Sequence, residues 1–180
     1  MRIMVTYASR HGATAGIAQR IADVLAGQGH VVDCTPIAAA GDPADYDAAI
    51  IGGAAYLAHW LKEAAGFVRR HRTALAGRPV WLFSSGPLGT DAVDADGVDV
   101  LASTRPKEFP ELVELIQPRD AAVFFGAYDP DAPPTALLER LTRPMVSSRG
   151  MLPSGDFRDW PAIEAWARGI ADELSPQTTA

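Results

Sequence analysis

Five short runs of this chain are apolar almost without interruption: RIMVTY (2–7), HVVDCTPI (30–37), AAIIGG (48–53), PVWLFSS (79–85) and DAAVFFGAY (120–128). A strand that alternates apolar and polar residues covers a core with one face, whereas a continuously apolar strand is buried on both. Between these runs the spacing becomes helical. Ile17, Ile21, Val24 and Leu25 share one helical face, as do Leu61, Ala64, Ala65 and Val68. Near the end, Ile163, Trp166, Ile170 and Leu174 do the same, with Asp159 placed to cap that helix and Pro161 in its first turn. Doubly buried strands alternating with amphipathic helices predict an α/β fold, a doubly wound five-stranded parallel sheet in three α/β/α layers, as one domain over 1–180. Such sheets bind ligands outside the carboxyl ends of their strands, so the informative residues are those following strands one, three, four and five.

Composition narrows the function. The net charge is −6, from 16 Lys+Arg against 22 Asp+Glu, and no basic stripe relieves it, so nucleic acid is not an expected partner. A single cysteine, Cys34, excludes an internal disulfide and a cysteine metal cluster, and its apolar run marks it as a buried small hydrophobe. No run approaches the ~18 apolar residues of a membrane span. The first residues enter a strand directly, so no signal peptide or transmembrane segment is expected and the expected location is cytoplasmic.

The stretch VTYASRHGATAGIAQRIADVL (5–25) carries the chemistry: a strand, a small polar turn and a helix start. The first N–H groups of a helix lack intrahelical partners and its dipole favours negative charge there. Ser9 and Thr14 add hydroxyls, and Gly12 allows close approach of backbone. The turn has neither the lysine of a triphosphate loop nor the glycine pattern of a dinucleotide fold, so a monophosphate suits it best. A turn and cap without a ligand is the competing reading of the same residues.

Val5, Tyr7, Ser9, Gly12, Thr14, Ala18 and Ile21 fit the FMN-phosphate signature of the flavodoxins, and the chain resembles that family over nearly its whole length. Thr6 departs from the apolar residue usual there. The resemblance implies a flavodoxin-like fold and FMN as cofactor. Ser9, Arg10, His11, Gly12, Ala13 and Thr14 would surround the phosphate, Arg10 either pairing with it or lying solvated. Ala54, Ala55, Tyr56 and Leu57 would approach the isoalloxazine, Tyr56 by stacking. Ser84, Ser85, Gly86 and Pro87 would offer backbone groups to the ring edge, and Gly126 and Ala127 would border it. Trp60 is either a second aromatic wall or a core residue starting the next helix. His59 is either a proton relay or an exposed loop residue. No residue is assigned a catalytic role, and no metal site is expected.

Two inserts, at about 87–107 and 129–155, interrupt the pattern. The first holds Asp91, Asp94, Asp96 and Asp99, without the spacing of a calcium loop. The second contains an amphipathic run, Leu137, Leu138, Leu141 and Met145, which packs on the domain or meets a membrane. This insert, the serine–basic–x–glycine start, His59 and the Asp159–Trp160 opening of the last helix resemble the flavodoxin-type, menaquinone-dependent protoporphyrinogen oxidases. Three functions follow: an oxidoreductase acting on a small quinone or porphyrinogen, an electron carrier docking redox proteins, and a flavin-free interaction domain. The long inserts favour the first, and the intact phosphate loop disfavours the third.

Overall fold

In the computed structural model, which describes residues 1–129 and 153–175, β1 (Arg2–Ala8), β2 (Val31–Pro36), β3 (Ala48–Tyr56), β5 (Val80–Ser85) and β6 (Asp120–Phe124) form one parallel sheet in the order β2-β1-β3-β5-β6. A two-residue strand, β4 (His59–Trp60), folds back antiparallel on the end of β3. The strands present alternate residues to opposite faces, and each face is covered. Ile3, Val5, Ile50, Trp81 and Phe83 pack with α1 (Ala13–Gly27) and with the last helix, α6 (Trp160–Leu174). Met4, Ile51 and Leu82 pack with α2 (Lys62–Arg70), α3 (Arg72–Ala76) and α5 (Phe109–Ile116). The expected three-layer, doubly wound sheet is therefore the observed one. Asp159 caps α6 through an N–H···O bond from Ala162 (3.0 Å), with Pro161 in the first turn.

The departures have local causes. The second helical face is split at His71 into α2 and α3, and begins at Lys62 rather than at Trp60. The run 120–128 is not one strand. Gly126 donates its N–H to the Pro87 carbonyl (2.8 Å) and accepts from Phe157 N–H (3.1 Å), which takes the chain out of the sheet. It resumes as β7 (Ala127–Tyr128), paired antiparallel with β8 (Gly155–Asp156) at the base of the second insert. The run Leu137, Leu138, Leu141 and Met145 lies outside the described residues. Within the first insert, α4 (Val100–Ser103) is capped by Asp99, and Asp94 Oδ1 accepts from the N–H groups of Asp96 and Val98 (2.9 Å each). Two of the unexplained aspartates thus close turns. Thr6, the odd residue of β1, is fully buried and donates its hydroxyl to the Thr35 carbonyl (2.9 Å), away from the first loop. Cys34 is half-buried, and burial, with a smaller contribution from Asp23, pushes its thiol up to about 11, so it stays protonated and inert near neutral pH.

The middle of β3 holds the two faces together. A Cβ on Gly52 would stand 2.0 Å from the Phe83 ring, and one on Gly53 would stand 2.6 Å from the Trp60 indole nitrogen. The two rings belong to opposite core layers, so these glycines admit an aromatic ring from each side. Trp60 is 2% exposed and donates its indole N–H to the Gly53 carbonyl (3.0 Å). Overpacking such a position costs about 1–3 kcal/mol. Gly53→Ala should lower the free energy of urea unfolding by that amount. Gly66→Ala, inside α2 where an added Cβ meets nothing, should instead leave stability equal or raise it by up to about 1 kcal/mol. Equal effects at the two glycines would contradict this account of the core.

Candidate cofactor site

Every predicted site residue stands at the carboxyl edge of the sheet, in the last residues of β3 and β5 or on the segments that follow β1, β3, β5 and β6. The first segment turns sharply. Gly12 has φ +84°, a conformation that strains other residues, and a Cβ there would meet nothing within 4 Å. Ser9 Oγ accepts the Gly12 N–H (3.1 Å). The first bond within α1 runs from Gly16 N–H to the Gly12 carbonyl (2.9 Å), no side chain among the described residues caps this helix, and its first turn has no acidic residue. A glycine-floored turn with helix N–H groups that are unclaimed among the described residues is a cradle for an anion.

The Thr14 hydroxyl already has a partner at the sheet edge. Thr14 is 1% exposed, and its Oγ1 lies 2.8 Å from Ser85 Oγ, locking the first loop to the end of β5. Arg10 is exposed and lies 3.4 Å from Glu63. On the ring side, Ala54 is buried, Ala55 half-buried, and Tyr56 and Leu57 exposed, Leu57 almost wholly so at 94%. Leu57 and Ala58 carry φ of +51° and +60° in the two-residue turn between β3 and β4, a shape usually left to glycine and asparagine. Trp60 turns into the core against Phe109, 5.2 Å between ring centres. The alternative that made it a wall of the ring is corrected: the indole is buried behind the hairpin.

The segments after β5 and β6 are joined to each other. Gly86 N–H reaches the Phe124 carbonyl (3.4 Å), and the Pro87 carbonyl accepts from Gly126. These bonds hold the two loops together. Gly86 is pressed so close that a Cβ would stand 3.0 Å from the Ala55 carbonyl oxygen. Ser84 Oγ is fully buried and has no partner among the described residues.

Sequence reasoning passed over Arg158 and Asp156. Both nitrogens of one edge of the Arg158 guanidinium bind the Asp156 carboxylate (2.7 and 2.6 Å), and Nη1 donates to the Ala13 carbonyl (3.3 Å) in the first turn of α1. The guanidinium also lies 4.4 Å from the centre of the Trp160 ring. The Arg158 hydrogen bond holds the Asp156 carboxyl below its usual range. These residues, with His11–Ala13, Ala127–Asp129, Ser154 and Gly155, line an open groove of about 670 Å³. Nothing in spacing or periodicity marks a residue more than a hundred positions from the loop it contacts.

A family model described as a flavodoxin domain matches residues 4–135. The chain belongs to the flavodoxin-domain family. FMN is the cofactor of this family, and the glycine-floored cradle under an uncapped α1 fits its phosphate. The chain is similar in fold to a flavodoxin from the domain Archaea, at 13% identity and TM-score 0.59, with 96% of this chain and 98% of that one covered. It is likewise similar to oxidised flavodoxin 2 from Bacillus cereus, at 20% identity and TM-score 0.59, covering 97% and 100%. The rubredoxin oxygen:oxidoreductase of Desulfovibrio gigas matches at 14% identity and TM-score 0.61, over 99% of this chain but only 37% of that larger one. No curated protein sequence matches this flavodoxin-domain chain.

The Thr14–Ser85 pair yields a test of the cradle. A neutral hydrogen bond contributes about 0.5–1.5 kcal/mol. Thr14→Val and Ser85→Ala should each weaken FMN binding by that amount, and the double variant by no more than the larger single loss, because the two hydroxyls act as one lock. Riboflavin, which lacks the phosphate, should respond much less. Additive losses, or equal losses for both flavins, would show that the pair does not shape the phosphate loop.

Proposed function

We propose that this chain is an FMN-dependent oxidoreductase that exchanges two electrons with a small planar substrate of the quinone or porphyrinogen class. FMN supplies the electron transfer when bound. The chain's own part is to hold the phosphate at Ser9, Gly12 and the start of α1, to set Ala55, Tyr56 and Gly86 against the ring, and to border a substrate beside it. The observation that carries the enzyme reading is the β7–β8 pair. It adds a second wall, Ala127–Asp129 and Ser154–Asp156, across a groove from His11–Ala13, and the second insert leaves and returns through it at the cofactor edge. An electron carrier needs an exposed ring edge and little else.

The narrower likeness to the menaquinone-dependent protoporphyrinogen oxidases supports the substrate class through Ser9, Arg10 and Gly12, His59, and the Asp159–Trp160 helix start. Asp129 and Asp131 in the insert disfavour docking on anionic lipid, so activity should not require a membrane surface. Among the described residues no helix is long and apolar enough to cross one. The second reading, an electron carrier docking a redox protein, is favoured by the hairpin tip, where Tyr56 is 44% and Leu57 94% exposed.

Replacing residues 130–148 by a short Gly/Ser turn separates the two. The enzyme reading expects FMN to be held and turnover of soluble menadione to fall at least about tenfold, the loss of a formed substrate pocket. Unchanged turnover in a variant that still holds FMN would favour the carrier.

A further inference from the structure

The hairpin on the proposed ring side is gripped from behind by the start of α5. Lys107 N–H donates to the Ala58 carbonyl (2.9 Å). Glu108 then divides its carboxylate: Oε2 accepts the Trp60 backbone N–H (2.9 Å), and Oε1 lies 2.9 Å from His59 Nδ1. The carboxylate is largely shielded, its side chain 20% exposed, whereas the His59 side chain is 58% exposed. Burial alone would raise the Glu108 carboxyl. Hydrogen bonds from His59, from Trp60 N–H and from its own N–H outweigh that, and the group lies below its usual value.

An ionised carboxylate only accepts hydrogen bonds, so Nδ1 must be the donor in this contact. In neutral His59 the proton is then on Nδ1, and Nε2 carries the lone pair of this exposed side chain. We propose that Glu108 fixes His59 in this tautomer so that Nε2 takes up and releases a proton at the ring-side hairpin, making the pair the proton relay of the site. This rests on the reading above that the hairpin flanks FMN. Reducing a quinone consumes two electrons and two protons. The electrons and one proton come from the reduced cofactor. The other proton comes from the imidazolium: its Nε2–H bond breaks, an O–H bond forms on the substrate, nitrogen keeps the electron pair, and solvent reprotonates it. Glu108 is a positioning residue, since it acts through His59. Among the described residues, the other groups facing the pair are Tyr56, opposite His59 in the hairpin, Lys107 beside it, and Arg69, which acts on Glu108 while bound to Glu111.

Nitrogen-15 NMR of His59 in the FMN-loaded protein tests the tautomer and the placement without turnover. Neutral His59 should show a protonated Nδ1 and a bare Nε2. Its ring nitrogen resonances should shift when the FMN is reduced, because negative charge is added nearby. Glu108→Gln can donate its amide to Nδ1, and should move the proton toward Nε2. In menadione turnover, the pH limb that follows His59 protonation should be present in the parent and absent in His59→Gln, with the rate down at least about a hundredfold, the low side of general acid catalysis. FMN affinity should change less than about threefold in both variants; a contact that merely braces the hairpin would move affinity and stability and leave the pH limb in place. An Nε2-protonated tautomer in the parent, ring resonances indifferent to FMN reduction, or an unchanged pH limb in His59→Gln would each overturn the relay. Both NMR results in a parent that does not turn over menadione would uphold the pair's placement and overturn the quinone reading instead.

Discussion

The structure depends on one crowded place, the middle of β3, where Gly52 and Gly53 leave no side chain between two core layers. Phe83 fills the space on the α1 and α6 side, and Trp60 on the α2 and α5 side. Because Trp60 must reach that space and bond Gly53, the chain after β3 has to reverse within two residues. The reversal forces Leu57 and Ala58 into left-handed backbone and lifts Tyr56 and Leu57 into solvent. The exposed tip is therefore a consequence of how the core is filled beneath it. Strain of this kind persists only where the surroundings over-determine the chain. Here the Trp60 indole, Glu108 and the Lys107 N–H together hold the tip.

The electrostatics of the site are local. With a net charge of −6, the chain offers an anion little long-range attraction. The attraction comes instead from the uncapped start of α1, where peptide dipoles and N–H groups act within one turn. The contrast with α6 is instructive, since there Asp159 accepts the Ala162 N–H and Pro161 has none to offer. Arg158 brings positive charge to the same edge but is largely answered by Asp156. Its clearest role is mechanical: stacked on Trp160 and bonded to Ala13, it ties the segment returning from the second insert to the phosphate loop.

Much of this was legible in the sequence because it is local. Continuous apolarity revealed the doubly buried strands, the spacing of Ile17, Ile21 and Leu25 revealed α1, and the Asp159–Pro161 start of α6 was readable from capping rules. The first loop was legible for the same reason: turn, hydroxyl and helix start lie within a few residues. Contacts distant in sequence were not. The bond between the hydroxyls of Thr14, in α1, and Ser85, at the end of β5, is one of them. Gly126 reads as part of a strand until Pro87 and Phe157 are seen to claim its backbone. The helix α5 was hidden behind Pro106 and Pro110, and Glu108 cannot be matched to His59 without the hairpin that brings them together. Spacing could not show that Trp60 turns inward, because a buried wall and a ring wall need the same aromatic residue.

The central claim is that the phosphate of FMN is held by the glycine-floored turn at the start of α1. Phosphorus-31 NMR of the FMN-loaded chain tests it most directly. A free phosphate monoester loses its second proton near pH ~6 and its resonance moves accordingly. A phosphate enclosed by helix N–H groups and loop hydroxyls should stay dianionic, with a resonance that does not move between about pH 5.5 and 8.5. A bound phosphate that titrates as the free ester does would place it in solvent and contradict the account.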